Sequence, residues 1–158
     1  MFEEIIIIPS FNELYSLKKI LKQLSKKYKL IVIDDGSKDS TSKMLNAFKI
    51  ESITNKKNIG YEKSLIKAFN YTIEKYPNIK NIITFDADGE HKTSDLNKII
   101  TFSKIRKPAL LICNRKNIKR FSEKIINYFF KIKFNVEDPL SGLKIYNIKI
   151  LKKYLNKI

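Results

Sequence analysis

The apolar, β-branched residues 81–85 run directly into three acids within five positions, Asp86, Asp88 and Glu90. Carboxylates that close repel one another unless a cation sits among them. In an extended segment side chains alternate with period two, so Asp86 and Asp88 project to the same side. Two hard oxygen donors so placed suit Mg²⁺ or Mn²⁺, which the phosphates of a substrate would share. An Asp-x-Asp alone is often a turn or cap pattern. Here it gains weight from the buried segment before it and from Glu90 two positions on.

Other polar segments end apolar runs in the same way. Pro9-Ser10-Phe11-Asn12-Glu13 follows residues 4–8, Asp34-Asp35-Gly36-Ser37 follows residues 30–33, and Asn114-Arg115 follows residues 109–113. In the second of these the glycine permits a tight turn, and the acids can accept hydrogen bonds from base N–H groups or ribose hydroxyls. The chain has no G-x-G-x-x-G and no G-x-x-x-x-G-K-[ST], so dinucleotide and Walker-type phosphate binding lose support. The lone His91 reads as a loop residue rather than a ligand.

The elements that must position these residues are legible in the periodicity. Residues 4–8, 30–33, 81–85 and 109–113 read as strands buried on both faces. Leu14, Leu17, Leu21 and Leu24 mark one helix face, Leu65, Phe69 and Ile73 a second, and Leu96, Ile99, Ile100 and Ser103 a third. Ser40 or Thr41 could cap the helix through Met44 and Phe48, and Thr93 or Ser94 the helix after the acids. Strands alternating with such helices predict βαβ units, a mostly parallel sheet and right-handed crossovers. Ligands of such sheets bind beyond the carboxyl ends of the strands, where the polar segments fall.

The 158 residues fit one domain, with 43% apolar and 30% charged residues, ordinary values for a globular chain. The aliphatic run from Ile5 to Ile8 is too short to span a bilayer, and no leader pattern precedes it, so a cytoplasmic protein is expected. The single Cys113 excludes an internal disulfide, and one His with one Cys excludes a His/Cys zinc site. The net charge of +16 is uneven. Residues 1–97 hold 16 Lys/Arg against 13 Asp/Glu, a balance of +3, and residues 98–158 hold 16 against 3, a balance of +13. A basic half points to phosphate-bearing partners: nucleic acid, nucleotide or an anionic membrane face. No nucleic-acid motif is present and the aromatics sit at core spacing, so no nucleic-acid partner is expected. A Lys-, Ile- and Asn-rich chain is also what an AT-rich genome yields, which accounts for the total charge better than for its asymmetry. Residues 119–134 mix Phe121, Ile125, Ile126, Phe129, Phe130 and Ile132 with Lys119, Arg120, Lys124, Lys131 and Lys133. Such a helix could lie on an anionic membrane surface, or pack its apolar side into the core and leave its lysines in water.

Taken in order, "IIIPSFNE", "IVIDDGSKDST", "NIGYEKSLIKAF", "FDADGEH", "NRKNIKRFSEKIINYFF" and "DPLSGLKIY" resemble the motifs of family 2 glycosyltransferases of the GT-A fold. The resemblance covers nearly the whole chain and is nearest to the dolichyl-phosphate mannosyltransferase and polyprenyl-phosphate glycosyltransferase subgroup. It implies a Rossmann-like, mostly parallel sheet sandwiched by helices over residues 1–158, short on its C-terminal side. It implies that Pro9, Phe11 and Glu13 line the base pocket and that Asp35 reads base or ribose. Ile33, Gly60, Lys63 and Ala87 would complete the donor site with Asp86. Asp86 and Asp88 match the metal-binding pair, with Glu90 where a third polar ligand is found. Arg115 and Arg120 match arginines that hold the acceptor phosphate, and Asp138, Ser141 and Gly142 match a late segment that closes the site. Departures are Cys113-Asn114-Arg115 in place of Gly-Ser-Arg, and Glu62 and Ala68 in place of glycines.

The implied activity is metal-dependent, inverting transfer of a sugar from a GDP- or UDP-sugar to a polyprenyl or dolichyl phosphate, with Asp88, Asp138, Arg115 and Arg120 at the reacting centre. A lipid phosphate is already an anion and needs no general base. A sugar hydroxyl acceptor, as in cell-surface glycan synthesis, would need one, and Asp138 is then the best candidate. Alternatively the chain is a truncated or non-catalytic nucleotide-sugar-binding module, and a partner chain could complete its C-terminal side. Peripheral contact with the inner membrane face through residues 119–134 is part of the lipid-phosphate reading. Sugar nucleotidyltransferases share the architecture, but their Gly-rich N-terminal loop is replaced here by Pro9 to Glu13.

Overall fold

The computed structural model describes residues 2–115 and 120–155. Four successive isoleucines, Ile5 to Ile8, build its centre as part of β1 (Glu4–Ser10). Alternation sends Ile6 and Ile8 to one side of the sheet and Ile5 and Ile7 to the other, and all four are buried. Each such side chain contributes about 1.5–3 kcal/mol on burial. Ile6 and Ile8 pack with α1 (Leu14–Leu24), α2 (Thr41–Ala47) and α4 (Thr93–Arg106) through Leu17, Leu21, Leu45, Leu96 and Ile100. Ile5 and Ile7 pack with α3 (Tyr61–Lys75) and α6 (Ile148–Leu155) through Leu65, Ala68, Phe69 and Leu151. The result is a three-layer α/β sandwich, as the periodicity predicts.

The remaining strands are β2 (Lys29–Asp34), β3 (Glu51–Thr54), β4 (Asn81–Thr84), β5 (Leu110–Ile112) and β6 (Lys144–Asn147), in the sheet order β3-β2-β1-β4-β6-β5. Strands β1 to β4 are mutually parallel, whereas β6 runs antiparallel to both β4 and β5. Strands β3 and β6 were not expected from the sequence. Each has four residues and mixes polar with apolar side chains, so neither shows the continuous apolar run of a central strand. Residues 109–113 also differ from expectation. Only Leu110–Ile112 is strand, and it lies at the sheet edge with Leu110 exposed, because only its β6 side is covered.

The expected caps are replaced. Neither Ser40 nor Thr93 makes a side-chain cap bond, and the N-cap of α4 is Lys92. The Asp39 carboxylate instead accepts from the backbone N–H of Thr41 (2.9 Å) and of Leu14 (3.3 Å), so one acid serves the first turns of both α1 and α2. Thr93 donates its hydroxyl to Gln23 Oε1 at 2.6 Å, tying α4 to α1.

Of residues 119–134, Phe121–Phe134 form α5, Arg120 is its N-cap, and Lys119 lies outside the described residues. Of its side chains only Asn127 is buried, and Phe121, Tyr128 and Ile132 are each more than two-thirds exposed. The helix therefore does not pack its apolar residues into the core. Among the described residues no helix is long and apolar enough to cross a membrane.

Candidate functional site

Parallel pairing fixes where the polar segments meet. Pro9 pairs with Ile33 and Ser10 with Asp34, and Asp35 N–H donates to Ser10 O at 2.9 Å. On the other side of β1, Phe85 N–H donates to Ile7 O at 3.0 Å, which brings the segment after β4 alongside. A cleft of about 340 Å³ opens at these carboxyl ends. It gathers Pro9, Phe11, Glu13, Asp35, Asp86, Ala87 and Asp88, all singled out in the sequence, with Ser10, Asn58, Tyr61 and Ser64, which were not. Three residues assigned to the donor site do not line it. Ile33 is wholly buried against the α3 layer because alternation turns it away from the cleft. Lys63 is exposed on α3, and Gly60 contributes its backbone N–H to Asp35. A larger cleft of about 730 Å³ lies at the opposite end of the sheet, away from the paired acids.

Asp34 and Asp35 are occupied by the protein itself. Asp34 accepts from Ser37 N–H and the Ser42 hydroxyl, each at 3.0 Å. Asp35 accepts from the Asn55 side chain and from Ile59 and Gly60 N–H, each at 2.9 Å. Burial pushes the Asp35 carboxyl up, but these bonds outweigh it and hold it below the usual range. Gly36, directly after them, has φ +75°, and a Cβ there would sit 2.7 Å from the Lys57 carbonyl carbon. The turn is thus closed by close backbone approach, with glycine the residue that permits it.

The acids after β4 are less well served. Asp86 accepts one bond from the Tyr61 hydroxyl at 3.0 Å, and Asp88 accepts from Glu90 N–H at 2.9 Å. Burial, against the Tyr61 bond and with the charge of Asp88, pushes the Asp86 carboxyl up to about 6. Burial, then Asp88 and Asp86, push Glu13 up as well. Burial and Asp86 raise the Tyr61 phenol. Lys144 on β6 acts on Asp86 at a distance, without an ion pair among the described residues. The backbone closes in from behind: a Cβ on Gly142 would lie 1.9 Å from Asp86 Oδ2, so only glycine leaves that carboxylate its place. Crowded carboxylates without a paired cation fit a divalent metal. The trio expected for it is not assembled, however. Glu90 turns to Arg115, and among the described residues no three Asp, Glu, His or Cys side chains stand ready as ligands.

Arg115 lies in a carboxylate nest. Its Nε and Nη2 donate to the two oxygens of Asp138 at 2.9 Å each, its backbone N–H to Asp138 Oδ2 at 2.9 Å, and its Nη1 to Glu90 at 2.9 Å. Glu123 Oε2 lies 3.0 Å from the same Nη1. The side chains of Arg115 and Asp138 are 6% and 1% exposed. Burial pushes the Asp138 carboxyl up, but the bonds and charge of Arg115 prevail and hold it low. The same bonds raise the guanidinium. Such a carboxylate is a poor general base. Arg120, at the start of α5, is 82% exposed, with Glu123 at 3.7 Å.

His91 lies in the loop before α4, as expected, but is buried there. The Ser141 hydroxyl donates to Cys113 O at 2.6 Å and accepts from Leu143 N–H at 3.2 Å. His91 Nε2, 2.9 Å away, must then be the donor to Ser141. Burial lowers the His91 pKa. This lock holds the turn that carries Gly142 against Asp86. Neither His91 nor Tyr61 carried a sequence signal beyond its place beside a motif.

The model of "Glycosyl transferase family 2" matches residues 5–155. The uncharacterized protein MJ0544 of Methanocaldococcus jannaschii is 40% identical over 61% of this chain and 44% of its own length. A UDP-N-acetylglucosamine–dolichyl-phosphate N-acetylglucosaminyltransferase of Methanococcus voltae is 29% identical over 93% of this chain and 70% of its own. Among solved structures, glucosyl-3-phosphoglycerate synthase from Mycobacterium tuberculosis, in complex with Mn²⁺, UDP-glucose and phosphoglyceric acid, superposes with a TM-score of 0.73. That pair is 14% identical over 92% of this chain and 56% of the synthase. The chain thus spans about half the length of several proteins it matches. The shared architecture is the GT-A fold, and the chain belongs to glycosyl transferase family 2.

Proposed function

We propose that this chain carries the donor and metal site of an inverting glycosyltransferase whose acceptor is a polyprenyl or dolichyl phosphate. The observation that carries the reading is the acid cluster at the mouth of the cleft, where Glu13, Asp86 and Asp88 repel one another with no paired cation. Asp86 and Asp88 would hold Mg²⁺ or Mn²⁺ together with the diphosphate of a UDP- or GDP-sugar. The ion would supply charge compensation to the departing diphosphate. Pro9, Phe11 and Asn58 offer a partly apolar wall for the base. Asp35 supports that wall through the loop at Ile59 and Gly60, having spent its acceptor oxygens inside the protein.

The nest around Arg115 bears on the acceptor. Asp138, buried and paired, is unsuited to deprotonate a hydroxyl, which favours an acceptor that is already an anion. Arg115 is enclosed by carboxylates, so its contribution is to hold Asp138 and Glu90. Arg120 is the arginine free to meet a phosphate by a charge-assisted, forked contact. The exposed apolar side chains of α5, interleaved with Lys124, Lys131 and Lys133, would bring that arginine to a membrane surface.

Calorimetric titration with UDP and GDP, with and without Mn²⁺, tests the donor assignment. The expected result is metal-dependent binding of one nucleotide, lost in Asp86→Asn and Asp88→Asn. Binding of neither nucleotide would sink the reading.

A further inference from the structure

We propose that the cleft at the amino ends of the strands binds a phosphate-bearing polyanion, at a site separate from the acid cleft. The two lie at opposite ends of β1, about 20 Å apart for seven residues at ~3.3 Å each. With a volume of about 730 Å³, the cleft has the size of a small-molecule site. Five lysines line it, Lys80, Lys104, Lys107, Lys149 and Lys152, against two acids, Glu3 and Glu4.

Their pairing is unequal. Lys80 pairs with Glu3, and Lys104 lies 3.4 Å from Glu4, so the acids answer these two cations. Lys107, Lys149 and Lys152 have no carboxylate within ion-pair distance among the described residues. Lysines in water usually need no explanation, but these three converge on the lining of one cleft. Lys107 caps the C-terminus of α4, where a helix end favours a cation. Lys149 stands in the first turn of α6, at the positive end of a helix whose first turn has no acid, and Lys152 lies in its last turn. The charge of Lys149 adds to that of the helix end instead of answering it. A concave wall concentrates such a field. An anion of two or more charges would offset the repulsion, and an ammonium cluster suits phosphoryl oxygens. Pro77, Ile79 and Ile148 give the same cleft an apolar floor, with room for a ring attached to the phosphates.

The probes are inorganic triphosphate and ATP, titrated calorimetrically at low salt in excess chelator, which keeps the metal-dependent acid cleft silent. The expected result is binding of triphosphate to the wild-type chain and a loss of at least about tenfold in Lys149→Glu/Lys152→Glu. Lys107→Glu should weaken binding as a second, independent variant. The charge-matched pair Lys18→Glu/Lys22→Glu, on the exposed side of α1, should bind as the wild type does. ATP binding tighter than triphosphate identifies a nucleotide through the apolar floor; equal binding identifies the polyphosphate alone. Absence of binding to the wild type, unchanged binding in the cleft variants, or equal loss in the α1 pair overturns the proposal.

Discussion

Asp86 packs against Gly142, and Asp138 opens the same short turn, its carbonyl accepting from Ser141 N–H at 3.2 Å. Two buried or half-buried acids thus share one piece of backbone and meet opposite fates. Asp138 receives the guanidinium of Arg115 on both oxygens and stays ionised. Asp86 receives one phenol, feels the charge of Asp88 and is pushed up to about 6, mainly by burial. A fold that compensates one acid this fully could have compensated the other. Leaving Asp86 and Asp88 without a cation costs stability, a cost that a bound cation would offset.

The comparison breaks most visibly at Asp138. Asp138→Ala removes the main partner of a guanidinium 6% exposed and leaves it only Glu90 and Glu123, which should cost about 3 kcal/mol and appear as a fall in denaturation midpoint. The pH dependence has a defined sign. The folded carboxyl lies below its ordinary value, so its contribution is present above pH ~3.8 and lost as pH falls below it. Chemical denaturation between pH 7 and pH 3 should show that acid limb in the wild type and a shallower one in Asp138→Asn. A steeper limb in the variant would mean that Arg115 does not hold Asp138.

Asp88→Asn should do the reverse. Removing one of two repelling charges at an exposed position should leave stability unchanged or slightly raised in chelator, while lowering metal-dependent transfer more than a hundredfold, about 2.7 kcal/mol or more. Denaturation in chelator and turnover in Mn²⁺ separate the two effects. A variant that lost stability as Asp138→Ala does would show that the two acids are alike.

The layers of the sandwich were legible because they follow from period two, which divides the Ile5 to Ile8 run between two cores. The expected alternation of Asp86 and Asp88 does not hold, because β4 ends at Thr84 and Ala87-Asp88 is a turn; both acids still line the cleft. The partner of each acid was not legible. Arg115 and Asp138 are 23 positions apart, and nothing in their spacing says that the arginine faces a carboxylate rather than a ligand. Asp35 likewise looked available, and only the loop at Ile59 and Gly60 shows it taken. Strand β6 is not legible because Lys144 and Asn147 bound only two apolar residues, and the antiparallel edge next to Gly142 is hidden with it. Gly142→Ala tests that seat. With a Cβ 1.9 Å from Asp86 Oδ2, the acid or the turn must move, costing about 1–3 kcal/mol. Metal affinity should fall with stability, since the displaced side chain is the proposed ligand. Unchanged metal affinity would place the ion elsewhere.

The smallest effect is expected at Arg120, and it separates the two arginines as the other variants separate the two acids. Its guanidinium is 82% exposed and its nearest acid, Glu123, is 3.7 Å away, an arrangement that contributes at most about 1 kcal/mol to stability. Arg120→Ala should therefore leave the denaturation midpoint almost unmoved. If Arg120 meets the acceptor phosphate, transfer should fall about tenfold, the loss of one charge-assisted hydrogen bond of roughly 1.5 kcal/mol. Slow hydrolysis of the donor by water should persist, because it needs no acceptor. Arg115→Ala would instead lower stability and transfer together, since it leaves Asp138 buried and unpaired. Measuring transfer, donor hydrolysis and stability in both variants gives each arginine its own pattern. Equal losses of stability would put Arg120 in the nest with Arg115, and unchanged transfer in Arg120→Ala would remove it from the acceptor site.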